Sequence, residues 1–178
     1  MLKTLVATLL LSLTSMWACQ SPASVHPLTT LYLVRHAEKI EDGSKDPNLT
    51  AQGQNRAKSL QQLFAKTELH ALYATPFKRT QSTLLPLADT LGLDIQTYAA
   101  DQPIAEFIND LLERHKGQHL FIAGHSNTIP AMLNVLLEKE VYQTFDHQQY
   151  EDVFMVTLST IGNASLTRLQ IHLPPSVQ

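Results

Sequence analysis

Apolar positions fall into short blocks along the chain, and two kinds of spacing alternate. Leu31-Tyr-Leu-Val34 is a continuous β-prone run that ends in charge at Arg35, which predicts a buried strand. A polar, turn-forming stretch over 41–48 follows. Thr50 then sits where it can cap a helix carrying Ala57, Leu60, Leu63 and Phe64 at helical spacing. Ala71-Leu-Tyr-Ala74 predicts a second strand, and Pro76 stands where a first helical turn accepts proline. That helix is expected to run to about Leu91, to kink at Pro86 and to end on Gly92. Residues 94–98 make a weaker third strand, and 103–116 a helix with Ile104, Phe107, Ile108, Leu111 and Leu112 on one face. Leu120-Phe-Ile-Ala123 predicts a buried strand ending at Gly124, with a helix from about Asn127 to Glu138 behind it. Residues 153–159 and 166–173 predict two strands joined by a Gly162-Asn163 turn.

Strands alternating with helices predict an α/β three-layer sandwich, a mostly parallel central sheet flanked by helices, with antiparallel character added by the last hairpin. Ligands of such sheets gather beyond the carboxyl ends of the strands. Arg35-His36 and Gly124-His125 both fall at that edge, after the first and fourth strands. Two histidines on one rim change the picture from a fold to a candidate site.

Residues 1–18 do not share this pattern. Lys3 and the terminal amine make a small positive region, and the apolar run from Leu5 to Leu13 is well short of the ~20 residues a spanning helix needs. It reads as a secretory signal. Met16-Trp17-Ala18-Cys19 resembles a bacterial lipobox, which implies lipid attachment at Cys19 and a membrane anchor. Gln20 follows the cysteine where that class of protein uses Asp for inner-membrane retention, so the outer membrane, facing the periplasm, is the expected location. Residues 19–29, with two prolines and small polar residues, read as a tether, and 30–178 as the folded domain.

Composition bounds the class. The chain has 178 residues, 44% of them hydrophobic and 16% charged, which suits one domain with a real core and excludes disorder. Thirteen basic against 16 acidic residues give no cationic field for nucleic acid. A single cysteine excludes an intrachain disulfide and a multi-cysteine zinc site, and no His-Glu-x-x-His cluster is present.

Leu33-Val-Arg-His-Ala-Glu-Lys39, straight off the first strand, resembles the signature of the histidine phosphatase superfamily, the phosphoglycerate-mutase-like fold. Tyr73-Ala-Thr-Pro-Phe-Lys-Arg-Thr-Gln-Ser-Thr83 is similar to the family stretch with a second phosphate-binding arginine. Ala123-Gly-His-Ser-Asn-Thr-Ile-Pro130 is similar to the one with the second catalytic histidine. Singly these are weak signals; three in family order, between about Thr30 and Leu173, are specific. The resemblance implies that His36 is the nucleophile of a metal-independent phosphatase, forming a phosphohistidine that water hydrolyses. It implies that Arg35 and Arg79 bind the phosphoryl oxygens and that His125 donates to them, and no cofactor is expected. The arginine charges should hold His36 unprotonated. Asn127 or Thr128 could add a further donor by position.

The general acid stays open. The family uses Glu or Asp, directly after the second histidine in one branch, where Ser126 stands here, and after the third strand in another. There the chain offers Asp101, in a loop and therefore preferred, and Glu106; Glu38 and Glu151-Asp152 are alternatives. The expected substrate is a small phosphorylated compound whose identity the sequence does not give. A phosphomutase is the first competing reading, and no large insertion between Arg79 and Gly124 exists to cover its substrate. A catalytically inactive envelope lipoprotein binding an anionic ligand is the second.

Overall fold

The apolar run at 31–34 is the middle of a longer strand, β1 (Thr29–Arg35), in a computed structural model that describes residues 27–173. The expected signal, the lipidation site Cys19 and the tether up to residue 26 lie outside the described residues. Leu31 and Leu33 point to one face of the sheet and Val34 to the other, which is why the run is apolar throughout. The same division holds in β4 (His119–Gly124): Leu120 and Ile122 share the first face, Phe121 and Ala123 the second.

Helices cover both faces. α1 (Ala51–Phe64) and α2 (Lys78–Leu91) press Leu60, Phe64, Leu84 and Leu87 onto the Val34 side. α3 (Ile104–Arg114) and α4 (Thr128–Leu137) press Phe107, Ile108, Leu111, Met132 and Leu133 onto the Leu31 side. With β2 (Ala71–Ala74), β3 (Ile95–Thr97), β5 (Asp152–Thr160) and β6 (Asn163–Gln170), the sheet order is β3-β2-β4-β1-β5-β6. β3, β2, β4 and β1 run parallel, whereas β5 and β6 are antiparallel additions beside β1. The three-layer, mostly parallel sandwich expected from the sequence is the observed fold.

Three boundaries differ from expectation, each for a local reason. Thr29 belongs to β1 and not to the tether: it is buried, its hydroxyl accepts from the Gly117 amide at 3.0 Å, and it pairs with Leu158. Pro76 stays outside α2, which starts at Lys78 because the Asp46 carboxylate accepts the Lys78 amide at 2.8 Å and fixes the first turn there. The hairpin turn is Ile161-Gly162, since Gly162 alone adopts the left-handed φ of 79°; Asn163 is already paired with Thr160, so β6 begins and ends three residues earlier than its pattern suggested. α2 continues through Pro86 to the left-handed cap at Gly92.

The segment after β1 is tied down by α1. Glu38 makes a mostly buried ion pair with Arg56, whose Nε and Nη2 donate at 2.9 and 2.6 Å. Gly53 lets the helix approach so closely that a Cβ would overlap the Glu38 carbonyl oxygen. The carbonyl is backbone and a Cβ is fixed rigidly to its own backbone, so no rotamer change relieves the clash. Gly53→Ala should therefore lose about 1–3 kcal/mol of stability, although an exposed helical glycine replaced by alanine normally gains. A urea unfolding midpoint equal to or above wild type would show that the approach is looser than this.

Candidate active site

β1 and β4 lie side by side with Arg35 paired to Gly124, and the next rung is the His36 amide donating to the Gly124 carbonyl at 2.9 Å. His36 and His125 therefore leave the sheet together at its carboxyl edge, with ring centroids 5.5 Å apart. β2 flanks β4 and ends at Ala74, so Thr75 reaches the His125 Nε2 at 2.8 Å. The first turn of α2 then carries Arg79 back over the same edge, with Nη2 3.5 Å from the His125 Nδ1.

Each imidazole is oriented by its hidden side. The His36 Nδ1 lies 2.8 Å from the Ala37 carbonyl, which accepts only a hydrogen, so the proton is assigned to Nδ1 and the lone pair to Nε2. For His125 the orienting group is the Thr75 hydroxyl, shared between His125 Nε2 and Thr80 Oγ1, both at 2.8 Å. The Thr80 hydroxyl lies 2.8 Å from the Phe77 carbonyl and can donate to it. With Thr80 donating to Phe77, Thr75 donates to Thr80 and His125 Nε2 donates to Thr75, which leaves the Nδ1 lone pair toward the Arg79 Nη2.

Burial is the main reason both rings are poor bases. It lowers His36 to about 3, with the Arg35 charge, His125 and Arg79 adding to it against the opposing Ala37 hydrogen bond. It lowers His125 to about 4, with Arg79 and then Arg35 adding. The sequence reading credited the arginines with holding His36 neutral; desolvation is the larger cause, because the ring is 3% exposed.

The arginines are held by different means. Arg35 Nη1 donates to the carbonyls of Asp146, Gln149 and His147 at 2.7, 3.1 and 3.3 Å, and its guanidinium lies 4.1 Å over the Tyr150 ring. Arg79 stacks 4.3 Å over Phe77, with Nη1 3.9 Å from Asp46. Among the described residues four buried side-chain polar atoms have no hydrogen-bond partner, and two of them are Nε of Arg35 and Nε of Arg79. Buried guanidinium donors without an acceptor from the protein suit an anion with several oxygens.

Arg35, His36, Arg79 and His125 line one cavity of about 410 Å³, together with Ser126, Asn127 and Thr128 from the start of α4. Phe77, Ala100, Lys39, Glu41 and His147 complete its wall. A larger concavity at the opposite end of the sheet, beside Thr29 and Thr160, holds none of these groups. Among the described residues no cluster of three or more His, Cys, Asp or Glu could hold a metal ion.

The structure thus brings five expected residues together: Arg35, His36, Arg79, His125 and Asn127. It does not bring Asp101, which is exposed while its neighbour Ala100 lines the cavity. Glu106 is exposed on the first turn of α3, Glu38 is committed to Arg56, and the Glu151 carboxylate accepts the Tyr150 amide at 3.0 Å. Sequence reasoning missed Thr75, Tyr150, Lys39, Glu41 and His147. Thr75 and Lys39 stand inside stretches already singled out; the loop over 145–150 has no pattern, and only the fold reveals that it wraps Arg35.

The family model of the histidine phosphatase superfamily (branch 1) matches residues 31–100. Phosphoserine phosphatase 1 of Hydrogenobacter thermophilus is 35% identical over 74 residues, 38% of this chain and 35% of that protein. A second protein of the same organism is 29% identical over 135 residues, 69% of this chain and 66% of its own length. The chain therefore matches between about a third and two thirds of the length of these relatives. The solved phosphoserine phosphatase of Entamoeba histolytica, in complex with 3-phosphoglyceric acid, superposes with a TM-score of 0.65 at 18% identity over 81% of this chain and 98% of that one. The protein histidine phosphatase SixA, complexed with tungstate, gives 0.64 at 17% identity over 79% and 96%. These likenesses establish the shared fold. The stretch matched by the family model carries Arg35, His36 and Arg79.

Proposed function

We propose that the protein is a phosphatase that hydrolyses a small phosphomonoester through a phosphohistidine on His36. The observation that carries this reading is the unprotonated His36 ring facing a cavity that it shares with two arginines whose buried Nε atoms lack an acceptor. The His36 Nε2 attacks phosphorus, the bond to the leaving oxygen breaks, and water then displaces the phosphoryl group from nitrogen. Arg35 and Arg79 hold the phosphoryl oxygens, and their fixed charges offset the charge spread over those oxygens in the transition state. His125 stands beside the same oxygens, with Thr75 holding its Nε2 and its Nδ1 toward Arg79. The amides and side chains of Ser126, Asn127 and Thr128 add donors at the start of α4. Charge neutralisation is supplied by the protein's own cations, so the reaction is proposed to need no metal.

Phosphoserine, the substrate in the names of the relatives, is the first compound to assay. In this reading the chain is exported and anchored at Cys19. Thr29 begins β1 at the end of the sheet opposite the cavity. A phosphomutase would use the same groups and return the phosphate to an acceptor, and an inactive binding protein would hold the anion without turnover.

The assay that separates these readings is p-nitrophenyl phosphate hydrolysis by the soluble domain in EDTA. Turnover is expected in wild type and is expected to fall at least about 1,000-fold in His36→Ala; phosphate binding without turnover, or phosphate transfer with little release, would overturn the hydrolase reading. Corrected for substrate ionisation, kcat/KM should hold as pH falls through 6.5 and decline only between about 4 and 3, where the two rings take up protons. The sign for stability is opposite to that of a paired histidine. The unfolded chain binds protons below about 6.5 that the folded chain refuses, so unfolding should become easier from pH 6.5 downward, less steeply in His36→Asn. Thr75→Val should lower kcat/KM by about 10-fold, the worth of one orienting hydrogen bond, with Thr75→Ser close to wild type; equal effects of Val and Ser would contradict the assigned role.

A further inference from the structure

The proposed reaction leaves one proton unassigned: that which the departing alkoxide must gain. None of the carboxylates expected for this role reaches the cavity. Glu41, among the described residues the one carboxylate-bearing residue on its wall, accepts Lys39 Nζ at 2.7 Å, and that bond, with the charges of Lys39, His147 and Arg35, keeps its carboxyl below the usual range. Glu41 is therefore an anion with no proton to give. Lys39 is committed to it, and burial holds His36 and His125 unprotonated.

One further imidazole-bearing residue, His147, stands on the wall. We propose that His147 is the general acid of the reaction, a role that rests on the phosphohistidine reading above. Its backbone carbonyl accepts from Arg35 Nη1, so the loop over 145–150 fixes this residue against the phosphate-binding arginine. The residue lines the same cavity as His36, and its exposed side chain makes no hydrogen bond among the described residues. The charged and titratable groups sharing that wall are Lys39, Glu41, Arg35, Arg79, His36 and His125. An exposed imidazole can give a proton in one step and take one back in the next.

The balance closes. The bond from His36 Nε2 to phosphorus forms as the bond to the leaving oxygen breaks, and that oxygen takes the proton of the His147 imidazolium, giving a neutral alcohol and a neutral His147. Water then attacks the phosphorylated His36, neutral His147 takes one of its protons, and the bond from nitrogen to phosphorus breaks. Phosphate leaves, and both histidines return to their starting states.

A leaving-group comparison tests this, because p-nitrophenolate departs without a proton and unsubstituted phenolate departs far better with one. His147→Gln should lose at least about 100-fold more kcat/KM on phenyl phosphate than on p-nitrophenyl phosphate. The basic limb of the phenyl phosphate pH profile should be absent in that variant. Equal losses on both esters, as a structural or binding role would give, or no loss on either, would overturn the proposal. Wild-type turnover that vanishes in His36→Ala keeps the phosphohistidine reading standing whichever way His147 behaves; wild-type turnover that persists in His36→Ala removes both.

Discussion

The hydrogen bond from the His36 amide to the Gly124 carbonyl extends the β1–β4 ladder one rung beyond its last paired residues, and the site depends on that rung. Parallel strands place equivalent chain positions at the same height. Two histidines one residue beyond the paired Arg35 and Gly124 must therefore emerge together. Had either strand slipped by one residue, the ring would have turned to the other side of the sheet. The register is secured by burial: β1 and β4 carry Leu31, Leu33, Leu120 and Ile122 on one face and Val34, Phe121 and Ala123 on the other, all essentially without solvent exposure. Covering both faces with two helices each fixes the strands, and the strands fix the site.

The same burial sets the chemistry. Two imidazoles beside two guanidinium groups could not hold four positive charges in so small a volume, and desolvation resolves the conflict by discharging the rings and sparing the arginines. A ring nitrogen with a free lone pair at neutral pH follows from this, as does a cationic floor for an anion. The cost is polar groups held out of water, which the protein meets with Ala37 on one ring, Thr75 on the other and the carbonyls of 146–149 on Arg35. Glu38 and Arg56, the mostly buried ion pair, hold the segment that follows His36.

Much of this was legible in the sequence. Continuous apolar runs at 31–34 and 120–123 announce strands buried on both faces, and the residues directly after them announce the site. Arg79 was legible through its surrounding motif and its place at a helix start. The hairpin was displaced because a Gly-Asn pair reads as a turn, whereas the backbone needs only one left-handed residue, Gly162, and pairs Asn163. The other groups on the cavity wall were illegible for a different reason. Asp101 was chosen by chain position after a strand, but the loop presents Ala100, and the groups that do line the wall, Glu41 and His147, come from two segments without any repeating pattern. Their proximity is a product of the tertiary fold, since 106 residues separate them in the chain.

The central claim is the covalent step on His36, and rapid quenching tests it directly. Wild-type protein mixed with a radiolabelled phosphomonoester and stopped in alkali should carry label that is stable to base, lost in acid and absent from His36→Ala. Label that survives acid, label retained by His36→Ala, or turnover with no label under conditions that trap a phosphoenzyme would contradict the account.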